Sequence, residues 1–128
     1  MRRAAFLLAI VLSPLALPGP SLAEEPAIAE AGRIIFEHRC RICHADDPAL
    51  KTYGPPLAGV IGRQAGSYPG YAYSEALKQA GITWSPEAIT AWMANNKAMM
   101  PGTKMRHVGV TDPAEQELII AYLKTLSK

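Results

Sequence analysis

Residues 40–44 read Cys-Arg-Ile-Cys-His, and no other feature limits the fold as tightly. Two thiols so close together, with an imidazole directly after the second, must converge on one object. A thioredoxin-like redox pair belongs in a βαβ setting, and no strand pattern precedes Cys40. A zinc site needs further Cys or His ligands, and only His38 and His107 remain. A plain disulfide leaves His44 without a role. The chemistry that uses all three residues is covalent attachment of a c-type haem. The thiols of Cys40 and Cys43 add to two vinyl groups, and His44 brings an imidazole nitrogen under the iron. The domain must then be built around that macrocycle.

The rest of the chain suits such a task. Residues 27–38 carry Ile28, Ala31, Ile34, Ile35 and Phe36 at helical spacing. Gly32 interrupts that face, where a glycine permits close approach by another helix. Residues 45–73 hold Pro48, Pro55, Pro56 and Pro69 with Gly54, Gly59, Gly62, Gly66 and Gly70, too many breakers for a long regular element. A loop of this length is uncommon in a compact domain unless it wraps something. Tyr73 to Gln79 reads as a short helix stopped by Gly81. Ser85-Pro86-Glu87 combines an N-cap, a proline in the first turn and an acid, and opens a helix to about Asn95. Met99 to Val110 is loop. Asp112-Pro113-Ala114-Glu115 has the form of a capping box. It launches a last helix with Leu118, Ile119, Tyr122, Leu123 and Leu126 on one stripe. The expected fold class is therefore all-α, short helices and loops wrapped around one covalently bound haem.

The first 23 residues stand apart. Arg2 and Arg3 precede an apolar run, Ala4 to Leu17. Pro18-Gly19-Pro20 ends it, and Ser21-Leu22-Ala23 has the small-x-small pattern of a cleavage site. The run is shorter than the roughly 20 apolar residues that a membrane-spanning helix needs. The expectation is a cleaved secretory signal peptide over 1–23, a domain over 24–128, a periplasmic location and no membrane span in the mature form. Loss of Arg2 and Arg3 brings the 13 Lys and Arg level with the 11 Asp and Glu. A neutral chain of this kind is not a basic nucleic-acid binder.

Iron also needs a ligand on its other face. Met93 has the spacing of a core residue beside Trp92, and His38 lies too near the attachment site. The residues alone leave Met99, Met100, Met105 and His107 open.

Several strings together resemble the class I cytochromes c, the branch of mitochondrial cytochrome c and bacterial cytochrome c2. They are Gly32 and Phe36, Cys40 to His44, Gly54-Pro55-Pro56-Leu57, Gly62-Arg63, Gly70-Tyr71-Ala72-Tyr73-Ser74, Gly81-Ile82-Thr83-Trp84, Pro101-Gly102-Thr103-Lys104-Met105 and Ile120-Ala121-Tyr122-Leu123-Lys124. The resemblance covers essentially all of residues 24–128 and implies roles by position. Met105 is the sixth ligand, completing a metal site of His44 and Met105. The Pro55 carbonyl accepts the free imidazole N–H of His44. Tyr73 and Trp84 bond one haem propionate with Arg63 nearby, and Thr103 bonds the other. Gly32 and Phe36 pack against Tyr122 where the first and last helices cross.

The chain departs from the family at Trp92, where a tyrosine is usual, and at Leu77, often asparagine. It departs again at His107, where the mitochondrial branch has phenylalanine. The family's ring of lysines is thinned to Lys78, Lys97 and Lys104. The implied function is a monomeric, non-enzymatic one-electron carrier that docks transiently with redox proteins at an exposed haem edge. Arg39, Lys97, Lys104 and His107 are expected to frame that edge. The alternatives are a dedicated subunit of a periplasmic dehydrogenase, or a haem enzyme or gas binder if Met105 leaves iron readily.

Overall fold

The computed structural model describes residues 24–127, so the proposed signal peptide lies outside the described residues. Four helices follow in order: α1 Glu24–Arg39, α2 Glu75–Lys78, α3 Pro86–Met99 and α4 Pro113–Thr125. Among the described residues there is no strand. One isolated antiparallel bridge joins Gln64 to Thr83, and Ala65 N donates to Ile82 O at 2.8 Å beside it. No described helix is long and apolar enough to cross a membrane.

The frame is the crossing of α1 and α4. Gly32 makes it possible: a Cβ there would lie 1.9 Å from the Leu118 carbonyl oxygen and 3.1 Å from the Tyr122 Cβ. Phe36, fully buried, then meets the Tyr122 ring at 5.1 Å between centroids. Helix α1 is longer than its apolar spacing predicts, because Glu24 and Glu25 favour the first turn. Pro26 is tolerated there, where backbone N–H groups have no helical partner.

The caps behave as their residues predict, with one exception. The Ser85 hydroxyl accepts from Ala88 N at 3.1 Å, and the Asp112 carboxylate accepts from Ala114 N at 2.8 Å. Glu115 does not reach back to complete a capping box. Its carboxylate takes Arg39 instead, at 3.0 Å, which ties α4 to the end of α1.

Helix α3 continues one turn past its predicted end, but not smoothly. Asn95 has φ −159° and ψ 83°, outside the helical region. The pair Asn95-Asn96 joins two weak helix formers whose side chains compete for backbone groups. Two residues before the break, the Met93 carbonyl accepts from Val110 N at 2.9 Å.

Two apolar clusters flank the middle of the molecule. One holds Phe36, Val60, Ile89, Met93, Val110, Ile119, Ile120, Tyr122 and Leu123. The other holds Ala65, Leu77, Trp92 and Met100. Trp84 packs against both, and a cavity opens between them.

Candidate functional site

The cavity is lined mainly by apolar side chains, among them Phe36, Leu57, Val60, Leu77, Ile89, Met93 and Leu123. Cys40, Cys43, His44, Arg63, Tyr73, Trp84, Met105 and His107 also line it.

The chain reaches the cavity directly from α1. Arg41 N bonds to Phe36 O and His44 N to Cys40 O, at 3.0 and 2.9 Å, so the five-residue motif winds on as a turn. That turn aims both thiols and the imidazole at one side. Neither cysteine is in a disulfide. Burial pushes the Cys40 thiol up to about 11. His44 is buried, and its Nδ1 lies 2.8 Å from the Pro55 carbonyl oxygen. A carbonyl only accepts, so Nδ1 carries the proton and Nε2 keeps a free lone pair. Burial lowers the His44 pKa, the Pro55 carbonyl opposes that, and His107 adds to the lowering. The neutral, ligating form is favoured. Gly54 allows the arrangement, since a Cβ there would sit 2.5 Å from His44 Cε1.

Met105 comes from the other side. Its sulfur accepts from the Trp92 indole N–H at 3.0 Å. Its backbone carbonyl accepts from Asn96 Nδ2 at 2.9 Å, and Asn96 is buried. Of the loop methionines left open by the sequence, Met99 and Met100 pack in the second apolar cluster and do not line the cavity. An indole that can only donate is a suitable partner for a sulfur that can only accept.

The polar residues expected at the edge divide. Arg63 donates to the carbonyls of Pro56 and Ala58 at 3.1 Å and lies 5.1 Å from the Tyr68 ring centroid. It has no carboxylate partner among the described residues. Burial lowers its pKa, yet a guanidinium stays charged. A half-buried cation at the rim of an apolar cavity needs an anion. Burial also raises the Tyr73 phenol, which keeps it a neutral donor. Trp84 stands edge-on to Trp92 at 5.2 Å. Thr103 is set apart: it does not line the cavity, and its hydroxyl accepts from Met105 N at 3.3 Å. Lys104 Nζ, beside it, donates to Ala72 O at 3.0 Å and closes the loop over the rim.

Asn96 and Tyr53 also contribute to the site. Asn96 holds the Met105 backbone, and its signal was the weak helix pair at 95–96. Tyr53, 77% exposed, reaches the cavity lining, so the rim opens to solvent on its side.

These residues fit a haem. The walls are apolar, two thiols and an imidazole share one side, a thioether with its own donor lies on the other, and an unpaired cation waits at the rim.

Known proteins agree with that chemistry. The family model for cytochrome c matches residues 29–127. Cytochrome c of Euglena viridis is 44% identical over 98 residues, covering 77% of this chain and 96% of that protein. Cytochrome c2 of Blastochloris viridis is 38% identical over 125 residues, 97% of this chain and 93% of that protein. The solved structure of cytochrome cH from Methylobacterium extorquens is 44% identical, with a TM-score of 0.70, covering 76% of this chain and 97% of that one.

Proposed function

The chain belongs to the cytochrome c family and carries a covalent haem c on its cysteine pair, and from that premise we propose that it is an exported one-electron shuttle with His44 and Met105 as axial ligands. When bound, the haem supplies an iron that cycles between ferric and ferrous states.

The observation that carries the proposal is a pair of hydrogen bonds on opposite walls. Pro55 O fixes the His44 ring at 2.8 Å, and the Trp92 N–H fixes the Met105 sulfur at 3.0 Å. Each donor atom is held by the protein alone, so little has to move when the charge on the site changes. A histidine and methionine pair raises the potential. The Trp92 N–H works in the same direction, because it draws electron density from the sulfur and so favours the ferrous state. The apolar walls also disfavour the more highly charged oxidised centre.

Arg63, Tyr73 and Trp84 are assigned to the propionate side. Arg63 supplies the charge, while the two aromatic residues supply N–H and O–H donors and pack the edge. The exposed Tyr53 supports an edge open to partners. Arg39 and Lys104 line the same cavity; Arg39 is paired with Glu115, so Lys104 and the exposed Lys97 are the residues assigned to a basic fringe for an acidic partner. Transfer rates to such a partner are expected to fall as ionic strength rises.

Export is supported by the leader pattern of residues 1–23. The match to the relative from Blastochloris viridis spans 97% of this chain and so takes in most of residues 1–23. The proposed location is the periplasm.

The test is spectroscopic. The full chain is expressed in a host that attaches c-type haem, and the secreted protein is examined oxidised and reduced, with and without carbon monoxide. A c-type spectrum with the ferric methionine charge-transfer band, unmoved by carbon monoxide, is expected. A spectrum that shifts with carbon monoxide would replace the carrier by a gas-binding or catalytic protein. Recovery only with a stoichiometric partner would make the chain a dedicated subunit of a larger enzyme.

A further inference from the structure

His107 is the one described residue with a buried side-chain polar atom, Nδ1, that has no hydrogen-bond partner. A buried lone pair left unmatched is costly and calls for a reason. The other ring nitrogen is engaged: Nε2 lies 3.1 Å from the Met93 carbonyl oxygen. Because that carbonyl only accepts, Nε2 carries the proton and Nδ1 is a bare base.

This is the arrangement of His44 with its nitrogens exchanged. His44 gives Nδ1–H to Pro55 and keeps Nε2 free. His107 gives Nε2–H to Met93 and keeps Nδ1 free. A hydrogen bond from one nitrogen to a backbone carbonyl is what selects the other for a metal.

The chain also delivers His107 to the right place. Exposure alternates along the segment: Lys104, Arg106 and Val108 are exposed, while Met105, His107 and Gly109 are not. Alternation of period two is that of extended backbone, so Met105 and His107 share the inward face. Both line the cavity. The segment is tethered through side chains, Asn96 at Met105 O and Trp92 at the sulfur. Such tethers let it shift without unfolding a helix.

We propose that His107 is a reserve axial ligand, which takes the place of Met105 whenever the thioether leaves the iron. This rests on the His44 and Met105 reading above. In the exchange the iron–sulfur bond breaks and a bond to the imidazole nitrogen forms. The ring stays neutral with one proton, so neither protons nor electrons are gained or lost. The consequence is protective: the sixth position stays filled, and a carrier that has lost its methionine does not become a peroxide-reactive one. The new state has a lower potential, since an imidazole favours ferric iron more than a thioether does.

The experiment compares three holo-proteins, the wild type, Met105→Ala and Met105→Ala/His107→Phe, by electron paramagnetic resonance of the ferric form at neutral pH. Expected are loss of the methionine band in Met105→Ala with retention of a low-spin signal of the bis-imidazole kind, and conversion to high spin in the double variant. Peroxide-driven dye oxidation should rise only in the double variant. A high-spin Met105→Ala, or a double variant that stays low-spin, would overturn the proposal. If the alanine protein does not accumulate, Met105→Leu keeps the bulk and gives the same reading. The wild type separates the two claims: absence of its methionine band sinks the Met105 assignment, whereas a wild type with the band and a high-spin Met105→Ala sinks the reserve ligand alone.

Discussion

On the His44 side of the cavity the chain is held by its own backbone; on the Met105 side it is held by side chains. His44 N, Gly54 N and Leu57 N donate to Cys40 O, Cys43 O and Ala45 O at 2.9, 2.6 and 2.9 Å. The α1–α4 crossing stands directly behind them. Opposite, the loop's own backbone bonds are Thr103 N to Met100 O and Val110 N to Met93 O. Between them Met105 depends on Trp92, Asn96 and the Thr103 hydroxyl. Backbone bonds survive substitution of most side chains, and side-chain bonds do not. The first wall therefore carries the fold, and the second can be retuned residue by residue while the fold persists.

The harshest challenge to that division is Gly32→Ala. Alanine is the better helix former by about 1 kcal/mol, so an uncrowded helix would gain. Here the new Cβ would lie 1.9 Å from a backbone oxygen of α4, and backbone cannot rotate away. The clash should outweigh the gain and cost about 4 kcal/mol, a loss reserved for drastic mechanisms. The denaturant midpoint of the secreted holo-protein measures it. An unchanged midpoint would mean that the crossing is not the frame.

Gly54→Ala attacks the same wall at His44. Its Cβ would meet His44 Cε1 at 2.5 Å and Cys43 O at 2.9 Å. The imidazole must tilt, and the bond to Pro55 O is lost. A stability loss of about 3 kcal/mol, the upper end for overpacking, is expected with a lower yield of haem-loaded protein.

Trp92→Phe is the matching cut on the other wall. It removes the N–H at the Met105 sulfur and some packing volume, at a cost of about 2 kcal/mol. The distinctive result is electronic. Without the indole donor the sulfur gives more density to iron, so the potential should fall and the methionine band should weaken while the fold persists. A stability loss with no change in potential would make Trp92 a packing residue only.

How far each wall can be read from sequence follows the same division. The His44 wall is a string of neighbours, Cys40 to His44 and Gly54 to Pro56, so its geometry is written locally. Helix caps at Ser85 and Asp112 are equally local. The Met105 wall joins residues from three segments, and its details escape local rules. The break at Asn95 lies beside the Met93 carbonyl, which the loop after Met105 engages through Val110 N and His107. Thr103 supports the Met105 backbone where the family pattern implies a propionate contact. Glu115 has the position of a capping-box acid, but Arg39 from another helix competes for it and wins. His107 looks like a surface replacement for phenylalanine until the partner of each ring nitrogen is known.

The mildest test returns to the first wall and asks how much of its strength is polar. The Tyr122 hydroxyl donates to Asp46 Oδ2 at 3.1 Å, linking α4 to the segment just after His44. The two groups shift as a donor and an acceptor should. Burial and then Asp46 raise the Tyr122 phenol. Burial pushes the Asp46 carboxyl up, but hydrogen bonds from its own backbone and from Tyr122, with the charge of Arg41, bring it below its ordinary 3.8. A lowered carboxylate stabilises the fold above its ordinary value, and that contribution disappears as the pH falls through the folded value. Tyr122→Phe removes part of the lowering. At neutral pH it should cost only about 0.5 kcal/mol, since the carboxylate is partly solvated. The gap between wild type and variant should close in acid below pH 3.8. Urea midpoints across that range give both numbers. A gap that persists unchanged in acid would assign the loss to the hydroxyl itself and not to the charge on Asp46, and a cost approaching that of Gly32→Ala would mean that the crossing is tied by this hydrogen bond as much as by the absence of a Cβ.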